Sequence, residues 1–119
     1  MTIGTVWDLL TYFRRSEFKH PDMMQPELLL RLDELRHRTG LHIEISSGWR
    51  DDGSSHENGW EVDITDDKDS DGLNTSWRYV IVGAAYAVGF PRIGEYDGHV
   101  HLGMDPSKAQ GVAWVGKSR

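Results

Sequence analysis

Apolar side chains recur along this chain at two spacings, and the change from one to the other divides it into helices and strands. Val6, Leu9, Leu10 and Phe13 lie three or four residues apart, which predicts a short amphipathic helix over Thr5 to Phe13 that packs as a lid on a core. A loop holding Pro21 and Asp22 leads to Pro26, whose fixed φ suits a first helical turn. Leu28, Leu29, Leu32 and Leu35 then make one stripe until Gly40 ends the second helix. From Leu41 to Ser46 the period falls to two, the mark of a half-buried strand. Trp60, Val62 and Ile64 repeat it and put Glu61 and Asp63 together on the opposite face. After an acidic loop from Asp66 to Gly72, Asn74 or Thr75 can cap a helix carrying Tyr79, Val80, Val82 and Ala85 and ending at Gly89. Strands near Arg92 to Tyr96 and His99 to Leu102 follow, joined at Asp97-Gly98, a pair favoured by tight type I′ hairpins. Beyond Pro106 no period is visible, and Trp114 is the expected anchor of that segment.

The order helix, helix, strand, strand, helix, strand, strand predicts an α+β domain: a small antiparallel sheet with helices on one face and polar residues on the other. The 119 residues suffice for one core and so predict a single domain over 1–119. With 38% hydrophobic and 27% charged residues the chain reads as an ordinary globular protein. It contains no cysteine, which excludes a disulfide framework and cysteine-rich metal sites. No basic start followed by an apolar run opens the sequence, and no stretch approaches the roughly 20 apolar residues of a membrane span. The expectation is therefore cytoplasmic synthesis without a signal peptide, and no membrane partner. A net charge of −6 argues against a broad grip on nucleic acid, which needs clustered Lys and Arg.

The chemistry concentrates in Ser54-Ser55-His56-Glu57-Asn58-Gly59-Trp60-Glu61-Val62-Asp63 and, much later, His99-Val100-His101. His56, Asp63 and His101 make a candidate His/Asp/His zinc site. Imidazole nitrogen and carboxylate oxygen are good zinc donors, and three protein ligands leave a fourth position open, the ligand count of catalytic rather than structural zinc. His56 would come from the loop entering one strand, Asp63 from that strand and His101 from the last, so distant positions can converge.

At these residues the chain resembles the zinc D-Ala-D-Ala carboxypeptidase and L-alanyl-D-glutamate endopeptidase family, which includes many phage endolysins and, by fold, the Hedgehog signalling domain. The family's Ser-x-His-x-x-Gly-x-x-x-Asp is met by Ser54, His56, Gly59 and Asp63, and its last ligand strand by His101. Ile45-Ser46-Ser47-Gly48-Trp49-Arg50 resembles the family's Ser-Gly-Tyr-Arg segment, and Leu29 to Gly40 the leucine-rich helix before it. Gly89-Phe90-Pro91-Arg92-Ile93-Gly94 resembles its Gly-Phe-x-Arg-x-Gly run. The resemblance implies zinc at His56, Asp63 and His101, Arg50 near the substrate, and hydrolysis of peptidoglycan stem peptides. It further implies a phage lysin or virion-associated protein that reaches the cell wall after lysis or within a particle.

Two positions depart from the family pattern. Many members carry a general-base Glu or Asp three residues before the last histidine, where this chain has Gly98. Asp97 is the neighbouring candidate for the base, or else simply a turn residue. Glu61 stands where the family has a small residue, and reads as an alternative base, a fourth ligand or a carboxylate filling the pocket. His99 shares a strand face with His101 and is expected to orient a ligand or touch substrate. Arg50 either clamps a substrate carboxylate through two parallel hydrogen bonds or pairs on the surface with Asp51 or Asp52. Two further readings stay open: a zinc-binding domain without hydrolytic activity, and the same fold without metal.

Overall fold

Three helices cover one face of a five-stranded mixed sheet, and the local sequence explains most of the boundaries. The computed structural model describes residues 1–117. Helix α1 spans Ile3–Leu9, with Thr2 Oγ1 accepting the Thr5 N–H at its start. It is shorter than its apolar spacing predicts. The Asp33 carboxylate takes the N–H groups of Thr11, Tyr12 and Phe13, which draws the chain out of the helix while Phe13 still reaches the core. Helix α2, Pro26–Thr39, has Pro26 in its first turn and ends at Gly40 with φ 63°, a left-handed cap that glycine adopts without a Cβ penalty. Its Leu28, Leu29, Leu32 and Leu35 are fully buried.

Strands β1 (Glu44–Ser47) and β2 (Glu61–Thr65) pair antiparallel, with a register irregularity between Ile45 and Ser47. Helix α3 (Thr75–Val88) is capped by Asn74, whose Oδ1 accepts from the N–H groups of Ser76 and Trp77. Its buried face differs from the one the sequence suggests. Trp77, Ile81, Ala85 and Val88 face the core, whereas Tyr79 is 83% and Val80 41% exposed. From Tyr79 to Val88 the helix is apolar all round, so its period alone does not select a face; the Trp77 indole N–H bonded to the His42 carbonyl at 2.8 Å does.

Strands β3 (Arg92–Glu95) and β4 (Val100–Gly103) form a hairpin in which the Tyr96 N–H bonds the His99 carbonyl at 3.0 Å. The expected type I′ turn is not what joins them. That turn needs positive φ at both central residues, and among the described residues those with positive φ are Gly40, Gly53, Gly59, Gly89 and Gly111. The Asp97 carbonyl instead takes the Leu73 N–H at 3.2 Å and faces the Arg78 guanidinium, so tertiary contacts shape the bend.

The segment after Pro106 also departs from expectation. Val112–Val115 forms strand β5, parallel to β3, which makes the sheet mixed rather than antiparallel, in the order β1-β2-β4-β3-β5.

Val62, Ile64, Ile93, Val100 and Leu102 send their side chains into one apolar cluster with the helices. Their strand neighbours occupy the other face, in rows set by register. One row runs Asp63, His101, Gly94, Trp114, and the next runs Glu61, Gly103, Arg92, Val112. No described helix is long and apolar enough to cross a membrane.

Candidate metal centre

His56, Asp63 and His101 meet on this second face, each buried, with one ligand atom from each within 4.8 Å of the others. Asp63 and His101 are direct cross-strand partners on β2 and β4, which brings His101 Nδ1 to 2.9 Å from Asp63 Oδ1. His56 reaches the same point from the turn before β2, its Nε2 3.5 Å from Asp63 Oδ2. Its other nitrogen, Nδ1, lies 2.9 Å from the Gly48 carbonyl and can only donate to it, so the Nε2 lone pair is free to face the centre. Four ligands at 2.0–2.1 Å in a tetrahedron stand about 3.3 Å apart, close to both separations. The three residues can therefore hold a metal ion.

The loop carrying His56 is clamped from several sides. Gly59 has φ 77°, and a Cβ there would strike the Met23 carbonyl, so glycine is required twice over. The Gly59 carbonyl takes the Gln25 N–H at 3.1 Å, and Asn58 Nδ2 donates to the buried Asp105 carboxylate at 2.5 Å. The resemblance marks Gly59 as part of a motif; the structure supplies the physical reason for it.

Electrostatics in the metal-free protein follow from this crowding. Burial penalises charge on His101, but hydrogen bonds to Asp63 and Glu61 outweigh it and raise the pKa above the ordinary imidazole value. Burial acts upward on Asp63 too, yet the His101 hydrogen bond and the nearby imidazoles hold its carboxyl below the usual range. His56 moves down, chiefly because it is buried, aided by the charges of Arg50 and His101.

A cavity of about 430 Å³ opens over the three residues, lined also by Arg50, Ser55, Arg92, Tyr96, His99, Trp114 and Lys117. Among the described residues Asp63 is the one carboxylate in this lining, so a chain of net charge −6 presents here a cationic wall. Arg50 combines its two expected positions: its Nε is 3.3 Å from Asp52 Oδ2 while the side chain lines the cavity. His99 stacks on Tyr96, ring centroids 4.5 Å apart, with its Nε2 3.7 Å from Asp63 Oδ1.

The two carboxylates considered for the base stand elsewhere. Asp97 is exposed in the β3–β4 bend and does not line the cavity. Glu61 is fully buried beneath it, with Oε1 3.1 Å from Arg92 Nε and 3.3 Å from His101 Nε2. Trp114 and Tyr96 are cavity residues that pattern reading missed. The Trp114 indole lies across Gly94 beside His101 and donates to the Tyr96 hydroxyl at 2.8 Å, a contact made only by the pairing of β5 with β3.

Comparison with protein-family models, with curated proteins and with solved structures finds no match for this chain.

Proposed function

We propose that this chain is a zinc-dependent peptidase acting on peptidoglycan stem peptides. The observation that carries the reading is the convergence of His56 Nε2, Asp63 and His101 Nδ1 at the floor of an open, cation-walled cavity. Two imidazoles and one carboxylate suit zinc better than magnesium or calcium, which prefer all-oxygen sets. His56, Asp63 and His101 would hold the ion. Zinc bound there would supply a Lewis acid for a peptide carbonyl and promote ionisation of water near neutral pH.

The other roles belong to the chain. Arg50, on the cavity wall, would bind a substrate carboxylate, a group that stem peptides carry. His99 is the titratable cavity residue outside the ligand set with a ring nitrogen close to the centre, so the proton transfer expected of Asp97 or Glu61 passes to it in this reading. Tyr96 and Trp114 line the cavity beside His99 and His101. The finer likeness to the Hedgehog and D-Ala-D-Ala peptidase fold, and a place in a phage lysin or virion, belong to the same proposal.

One observation favours a second reading, a zinc-binding recognition domain without turnover: neither Asp97 nor Glu61 is a free carboxylate beside the centre. Zinc content of the purified protein, followed by release of free amino groups from purified peptidoglycan, tests both. Stoichiometric zinc with new amino groups supports the peptidase. Stoichiometric zinc without them supports the recognition domain, and a protein that retains no zinc ends both readings.

A further inference from the structure

We infer that Glu61 is a positioning residue of the metal centre: its carboxylate holds the Nε2–H of His101 and so turns Nδ1 of that ring toward the metal. The inference rests on the metal reading above and deepens it.

His101 has a carboxylate at each ring nitrogen, Asp63 at Nδ1 (2.9 Å) and Glu61 at Nε2 (3.3 Å). The two sides are not equivalent. Asp63 and the free nitrogen of His56 gather at the Nδ1 side. At the Nε2 side stands the guanidinium of Arg92, whose Nε donates to the same Glu61 oxygen at 3.1 Å and whose Nη1 bonds the Ala109 carbonyl at 3.0 Å. The Arg92 charge disfavours a metal cation on that side. The metal therefore takes Nδ1, and the proton remains on Nε2 facing Glu61. A carboxylate in this position fixes the tautomer and orientation of a ligating imidazole and makes it a better donor. His56 is held in the same way by the Gly48 carbonyl.

The surroundings of Glu61 are built for it. Gly103, its direct partner on β4, has no Cβ, and one placed there would overlap the Glu61 carboxylate. Arg92, on β3, is in turn covered by the Trp114 ring at 5.1 Å. The arrangement costs stability, because Glu61 Oε2 is buried without a hydrogen-bond partner. A fully buried carboxylate kept at that cost, aimed at a ligand and screened from the cavity, acts through His101 and not on substrate.

The test is zinc affinity, measured by competition with a chromophoric chelator, for the wild type, Glu61→Ala, Glu61→Gln and His101→Ala. Thermal unfolding of each metal-free protein and histidine-ring NMR of the zinc-loaded wild type accompany it. Glu61→Ala is expected to weaken binding about 10–100-fold. Glu61→Gln, which keeps an acceptor for Nε2–H, should lose less, and zinc-loaded His101 should be protonated at Nε2. The same spectra of zinc-loaded Glu61→Gln supply a readout that a merely structural role for Glu61 would leave unchanged: exchanging the carboxylate at Nε2–H for an amide should shift the His101 ring resonances, and unshifted resonances overturn the assignment even if Glu61→Ala does not fold. A folded Glu61→Ala within about threefold of wild type, or a zinc-loaded His101 protonated at Nδ1, overturns the assignment while leaving the site intact. A wild type that binds no zinc, or a His101→Ala that binds as well as wild type, overturns the assignment together with the site.

Discussion

His101 Nδ1 lies 2.9 Å from Asp63 Oδ1, and the two residues are direct cross-strand partners on β4 and β2. A metal ion inserted between them would replace one hydrogen bond by two coordinate bonds, with His56 supplying the third. Strand register alone makes this pair, while His56 joins it from the turn before β2.

Removing a member of the pair should abolish metal retention without unfolding the protein. Asp63→Ala and His101→Ala are each expected to lose zinc affinity by more than the roughly 100-fold upper range of an outer-sphere change. Elemental analysis after gel filtration, with circular dichroism as the folding control, checks this. Zinc retained at wild-type stoichiometry in either variant would remove that residue from the ligand set.

The same pair gives the metal-free protein a pH dependence. The His101 pKa is raised, so its contribution to stability is fully present below its unfolded value of 6.5 and is lost as pH rises through the folded value. The lowered pKa values of Asp63 and Glu61 give contributions that are lost only as pH falls through the acid range. His56, with a lowered pKa, changes stability only at and below its unfolded value of 6.5 and drops out above about pH 7. Urea midpoints of metal-free wild type should therefore fall as pH rises above the unfolded value of 6.5, and those of His101→Asn should fall less. Equal slopes for the two proteins would contradict the raised pKa.

Gly59→Ala should be among the most damaging single-methyl changes. It forces a side chain into φ 77° and against the Met23 backbone, two independent costs that together come to about 2–5 kcal/mol. Because Gly59 ends the turn that presents His56, zinc affinity should fall along with the unfolding midpoint. A variant as stable as wild type would show that the loop can be rearranged.

Under the peptidase reading, turnover should separate the candidate bases. His99→Ala is expected to lower kcat about 10²–10⁴-fold with zinc retained, whereas Asp97→Asn, in an exposed bend, should stay within about twofold. The measurement is amino-group release by the zinc-loaded proteins at fixed metal content. Full activity in His99→Ala, or its loss in Asp97→Asn, would reverse the two roles.

What the sequence by itself determined is local. Pro26 and Gly40 bound α2, a cap at Asn74 or Thr75 opens α3, and alternation along β2 sets Glu61 and Asp63 against Val62 and Ile64, because caps, fixed φ and side-chain period act within a few residues. The His56, Asp63 and His101 set was also legible, since donor chemistry and spacing are written in the chain.

Tertiary structure decided the rest. The face α3 buries was open in a helix apolar on all sides until Trp77 found the His42 carbonyl. Strand β5 has only four residues, and its parallel partner β3 lies 20 positions earlier, so no local period announces it. Its pairing is nonetheless what carries Trp114 to the cavity. Glu61 was visible as a carboxylate near the ligands, but whether it faced substrate, metal or ligand depended on Arg92 and Gly103, residues 31 and 42 positions away that strand register brings beside it. Local sequence sets conformation and donor type; the direction in which a buried charge acts is set by the neighbours that the sheet assembles around it.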